Sequence, residues 1–233
     1  MDRRTQEEQL VRFAAFAGMV GESTNVGRSG DEHDVYDVFD TMIADMSRAV
    51  PAFACRDGCN QCCYFPPLVS SLEWQALYPS LLRLSHGRQQ TLIENVESLR
   101  PLAKDLANLR RRALTAEQRE AVPDFAMQCP MLIDGRCAVY EGRPLVCRGF
   151  GHTLRISGDR SVFFGSSLAL AHMRENFPDD ATLPLFDPYV DRIAELNQDT
   201  AGTEAFLPQW LWAHIEGGAF VTEALVRPAF EHC

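Results

Sequence analysis

The sequence lacks any apolar run approaching the roughly 20 residues needed to cross a bilayer, so no membrane span is expected. Positive charge is scarce: 22 Lys and Arg stand against 32 Asp and Glu, a formal net charge of -10. A chain of that sign repels a polyanion, which speaks against non-specific nucleic-acid binding. The N-terminus, MDRRTQEEQL, is polar, with no apolar segment of the secretory kind behind it, and this predicts a cytoplasmic protein. No P-loop, dinucleotide fingerprint or Ser/His/Asp set is present, nor any internal repeat or low-complexity tract. What the sequence does have is cysteine. Eight cysteines in a reducing compartment are poor candidates for disulfides and good ones for metal or redox chemistry. At 233 residues the chain can bury a sizeable core without staples.

Apolar periodicity predicts a mostly α-helical protein with a small β element. Residues 5–20 read as a helix capped by Thr5 and Glu8, with Leu10, Phe13, Ala17 and Val20 on one face. GESTNVGRSG (21–30) reads as a mobile linker. A second helix is expected over 31–50, with Val35, Val38, Phe39, Met42 and Met46 inward and Pro51 as its stop. Ser70 with Glu73 makes a capping box for a helix that should break near Pro79. Leu92, Val96, Leu99, Ala103 and Leu106 mark further helix, which Pro101 kinks or restarts. Thr115 with Gln118 signals another short helix. Asp134-Gly135 between MLI and RCA is a type I′ hairpin signal, and SGDR joins a second hairpin, HTLRI to SVFF. Asp187-Pro188 should start a late helix, and Gly217 should end LPQWLWAHIEG as a C′ residue. The expected organisation is an N-terminal helical extension (1–50), a cysteine domain (51–165) and a C-terminal helical segment packed on it (166–233).

Cys55, Cys59, Cys62 and Cys63 spell CxxxCxxCC, and Cys129, Cys137 and Cys147 follow from 66 positions on; only Cys233 lies elsewhere. Free cysteines are often small buried hydrophobes, but four within nine residues and three more in a second group argue for thiolates converging on metal. If Ile133 pairs with Arg136, then Cys137 lies opposite Leu132, about 10 Å or more along the ladder from Cys129. A single zinc could hold both only if the chain bends sharply at Pro130. A polynuclear cluster or two metals would span that gap more easily, which favours iron–sulfur over zinc. Arg56, Arg136, Arg143 and Arg148 punctuate the cysteines, and Arg143 and Arg148 are the candidates to offset the charge of several thiolates from behind the ligands. The six histidines are scattered; each, His152 included, reads as structural.

Cys55-x3-Cys59-x2-Cys62-Cys63, Cys129-Pro130-x-Leu132 and Cys137-x-x-Tyr140-x-x-Arg143-Pro144-x-x-Cys147-Arg148 together resemble the YkgJ-like CxxCxxCC family. That family is known as a zinc- or iron-chelating cysteine-cluster domain and includes flagellin lysine N-methylase. The resemblance covers about residues 52–150. It implies that Cys55, Cys59, Cys62, Cys63, Cys129, Cys137 and Cys147 are the metal-binding cysteines, with Arg143, Pro144 and Arg148 as companions. The expected cofactor is an iron–sulfur cluster, with zinc as the alternative. Other readings are a structural zinc module that binds a protein partner, a lysine methylase-like enzyme, and a radical S-adenosylmethionine-like enzyme. Against the last stand Gln61 in a usually aromatic place, Cys63 beside the third ligand, and the lack of alternating strands and helices.

Overall fold

The computed structural model describes residues 3–27, 30–49, 58–113, 126–176, 183–199, 202–225 and 230. In chain order the elements are α1 (Arg3–Gly21), α2 (Val35–Ala49), β1 (Leu68–Ser70), α3 (Ser71–Leu82), α4 (His86–Glu97), α5 (Ala103–Ala113), β2 (Leu132–Ile133) and β3 (Arg136–Cys137). Then come α6 (Leu145–Gly149), β4 (Thr153–Ser157), β5 (Arg160–Phe164), α7 (Ser167–Asn176), α8 (Asp187–Asp199), β6 (Glu204–Phe206), α9 (Leu207–Trp212), β7 (Ile215–Glu216) and β8 (Ala219–Phe220). Among the described residues the strands pair in twos, β1 with β6, β2 with β3, β4 with β5 and β7 with β8. The protein is thus mostly helical with small β elements. Two compact units are present, one of Met1–Cys62 with Leu145–Leu196 and one of Cys63–Pro144 with Asn197–Cys233.

The first unit is organised by α2. Val35, Val38, Phe39, Met42 and Met46 are all buried, as their spacing demands. Phe39 meets Tyr189 edge-on at 4.9 Å and Phe186 at 5.9 Å, and Leu145 and Ile193 close the same cluster. Each side chain so buried contributes about 1.5–3 kcal/mol. The helix starts later than position 31 because Asp34 caps it: its Oδ1 accepts from the amides of Tyr36 at 2.8 Å and Asp37 at 3.1 Å. Two expectations fail on α1. Thr5 lies inside the helix rather than capping it, and Leu10 is exposed at 51 % while Gln9 faces inward with Phe13, Phe16 and Val20. Residues 21–27 are not a loose linker either. Thr24 N–H donates to the His33 carbonyl at 2.9 Å, Val35 N–H to that of Asn25 at 3.0 Å, and Arg192 holds the Ser23 carbonyl with two N–H groups. The short polar residues there serve as turn formers. The predicted second hairpin is present, paired from Thr153↔Phe164 to Ser157↔Arg160, with Gly158 at φ 60. Asp187 begins α8, but its carboxylate accepts from Ile156 N–H at 3.0 Å, tying the helix to β4.

The second unit contains the Ser70–Glu73 capping box, Ser70 Oγ accepting from Glu73 N–H at 3.3 Å and Glu73 Oε2 from Ser70 N–H at 3.0 Å. The helix runs through Pro79, which is exposed, and ends three residues later at Leu82. Pro101 sits in a 3₁₀ turn between α4 and α5, so it restarts the helix. Trp74 stacks on Trp210 at 5.5 Å beside Tyr78 and His214, all fully buried. Gly217 is not a helix C′ residue. The helix ends at Trp212, and Gly217 and Gly218, at φ 57 and 79, form the two-residue turn between β7 and β8. The expected stop at Pro51 and the helix at Thr115–Gln118 lie outside the described residues.

Candidate metal centre

Six of the seven motif cysteines, Cys59, Cys62, Cys63, Cys129, Cys137 and Cys147, are described; Cys55 and Arg56 lie outside the described residues. The six are thiols. Cys63 and Cys129 are buried and the other four half-buried. Cys59, Cys62 and Cys147 fall in the first unit, and Cys63, Cys129 and Cys137 in the second. Among the described residues no three Cys, His, Asp or Glu side chains are grouped closely enough to hold a metal ion.

In the second unit the two cysteine groups meet through their backbones. Cys63 sits in a single 3₁₀ turn, 61–64, and its carbonyl accepts from Cys129 N–H at 2.7 Å, while Met127 N–H donates to the Tyr64 carbonyl at 3.2 Å. Two cysteines 66 positions apart in sequence are therefore neighbours. The hairpin is as the sequence reads: Leu132↔Cys137 and Ile133↔Arg136, with Asp134 and Gly135 at φ 54 and 74 as type I′ requires. The chain does bend sharply at Pro130, the condition on which one zinc could hold both Cys129 and Cys137. Leu132 N–H donates to the Cys129 carbonyl at 3.0 Å, so residues 129–132 form a turn around Pro130, which brings its ends within about 7 Å. Asn95 of α4 fixes that turn by donating to the Pro130 carbonyl at 3.1 Å. The extended-ladder distance that favoured a polynuclear cluster is gone.

Arg143 stacks over the Tyr140 ring at 3.8 Å and donates to the Tyr140 carbonyl at 2.8 Å, bracing the turn at 140–142. Gly142 within it lies against α3: a Cβ there would come 2.9 Å from Ser80 Oγ.

In the first unit Cys147 is carried by α6, which is fastened to α2 and α8. Leu145 enters the core at 2 % exposure, and Gly149 faces the Phe186 ring. Arg148, 5 % exposed, pairs with the Asp40 carboxylate and lies 4.3 Å over the Tyr36 ring. Asp40 and Tyr36 went unnoticed in the sequence. Their spacing of four puts both on one face of α2, but nothing local connects them with an arginine 108 positions away.

Among the histidines, His214 is structural. Its Nε2 accepts from Trp74 Nε1 at 3.0 Å and Leu225 N–H at 2.7 Å, its Nδ1 donates to the Trp210 carbonyl, and burial holds its pKa below the ordinary value. His152 is buried just after α6, while His33 and His86 are exposed.

Residues 54–166 match the model of the CxxCxxCC family, described as a "Putative zinc- or iron-chelating domain". No curated protein and no solved structure is significantly similar to the chain. The match spans all seven motif cysteines. The donor set suits either metal that the family description names, since thiolates bind both zinc and iron. No described helix is long and apolar enough to cross a membrane.

Proposed function

We propose that this chain, which carries a CxxCxxCC domain, is a cysteine-ligated metal protein whose ligand pool is Cys55, Cys59, Cys62, Cys63, Cys129, Cys137 and Cys147. The observation that carries this reading is the hydrogen bond from Cys129 N–H to the Cys63 carbonyl. It makes Cys129 a neighbour of Cys63, one cysteine from each half of the motif. Arg143 and Arg148 adjoin the ligand pool and support it from behind, Arg148 with its own charge paired to Asp40. The finer reading is an iron–sulfur cluster, supported by a pool of seven thiols where one zinc takes four donors.

The turn at Pro130 favours a second reading. The turn removes the extended geometry that argued against one tetrahedral zinc shared by Cys129 and Cys137, and on this reading the metal serves to order the loops. On that reading the folded loops present a surface to a protein partner, in the cytoplasm.

Anaerobic purification with elemental analysis and a visible spectrum separates the two. A brown protein with iron near or above one per chain supports the cluster, and a colourless one holding zinc supports the structural site. A folded protein free of both metals refutes the proposal.

A further inference from the structure

Cys147 lies in a helix of five residues. A helix that short has no stability of its own, so the direction of its thiol is set by what anchors the flanking side chains. Leu145 and Gly149 anchor it apolarly, against the α2 and α8 cluster. The residue directly after the cysteine is held differently. The Arg148 guanidinium is 5 % exposed, sandwiched between the Tyr36 ring and the Asp40 carboxylate, whose own side chain is 48 % exposed. A guanidinium so withdrawn from water needs a fixed counter-charge, and the Asp40 bond together with the Tyr36 ring holds it in place.

We propose that Asp40 is a positioning residue for the metal centre, setting the Cys147 thiol through Arg148. The inference rests on the metal reading above and adds to it a residue outside the matched segment. Among the described residues, Asp40 pairs with Arg148 and with no cysteine of the pool. It clamps the arginine that follows one, and the clamp is half-open to solvent, so its loss need not unfold α2, whose buried face is on other side chains.

The test titrates the metal-free protein with Zn(II) alone against a competing chelator, for wild type, Asp40→Ala, Cys147→Ala and the double variant. Residues that hold a metal ligand in place typically contribute 10–100-fold to affinity, so Asp40→Ala should bind zinc about 10-fold more weakly or worse. In the Cys147→Ala background the same change should have no further effect, because the thiol that Asp40 positions is gone. Wild-type affinity in Asp40→Ala overturns the inference, as does an equal loss with and without Cys147, which would mark a merely structural role. Should Asp40→Ala fail to fold, Asp40→Asn, which keeps the shape and removes the charge, takes its place under the same expectations. Wild-type protein that binds no zinc strikes the metal reading itself, and is seen before any variant is compared.

Discussion

Gly149→Ala tests whether α6 is seated as described. A Cβ at this position would come 2.3 Å from Phe186 Cε2, 2.6 Å from Cδ2 and 3.0 Å from Cζ. Real Cβ atoms essentially never approach that closely, so the ring or the helix must move. The ring has little freedom: Phe186 is 1 % exposed, stacked on Phe164 at 5.2 Å and edge-on to Phe39 at 5.9 Å. Overpacking of this kind costs about 1–3 kcal/mol. Against it stands the gain of up to ~1 kcal/mol from replacing glycine by alanine in a helix. The net expectation is a loss of about 1–2 kcal/mol. Gly87→Ala is the control, since that α4 residue has nothing within 4 Å of its would-be Cβ and should be neutral or stabilised. Urea unfolding of the metal-free protein, followed by far-ultraviolet circular dichroism, compares the midpoints. Phe186→Leu, which removes the opposing ring edge, should shrink the cost of Gly149→Ala measured in its background. A Gly149→Ala protein as stable as Gly87→Ala, or a cost unchanged by Phe186→Leu, would refute the packing argument.

His214 makes the fold sensitive to acid. Its pKa is lowered by burial, whereas in the unfolded chain it titrates near 6.5. Above that value neither state binds the proton and the full contribution is present; as pH falls below about 6.5 the unfolded state takes it up first, so stability declines. His214→Gln should therefore be less stable at pH 7 yet lose less between pH 7 and 5, and an identical pH slope in the two proteins would contradict the assignment. Cys59→Ala and Cys62→Ala, which break the tight CxxC pair, should lose bound metal, and Cys233→Ala should keep it. Elemental analysis showing equal metal in all three would remove the motif from the ligand set.

What was legible in the sequence is what local physics decides. The inward face of α2, the Ser70–Glu73 capping box and the Asp134-Gly135 turn each depend on residues within a turn or two of one another, and all three are present. The failures have competing local signals. On α1, Leu10 and Gln9 are adjacent, and only packing against α2 decides that the amide goes in and the leucine out. Glu216-Gly217-Gly218-Ala219 supports a helix stop and a hairpin turn equally. The hairpin wins because Val221 returns to donate to the His214 carbonyl at 2.9 Å and Tyr78 Oη donates to the Val221 carbonyl at 2.6 Å. The β1–β6 pair joins residues 68–70 to 204–206 and has no local signature at all.

The candidate site divides along the same line. Which residues to propose as sulfur ligands was readable, because cysteines so clustered in sequence suggest metal chemistry. How those sulfurs are aimed was not, because the aiming residues lie far from the cysteines in sequence. Asn95 fixes the Cys129 turn from α4, Gly142 lies close against Ser80 of α3, and Asp40 and Phe186 hold α6 from α2 and from the start of α8. Segments 58–67 and 126–144 hold little regular structure beyond the β2–β3 pair, so the turns that carry their cysteines depend on contacts with the helices. Substitutions in α2, α3 and α4 that leave every cysteine in place should therefore alter metal affinity, each in proportion to how directly its side chain fixes a cysteine-bearing turn.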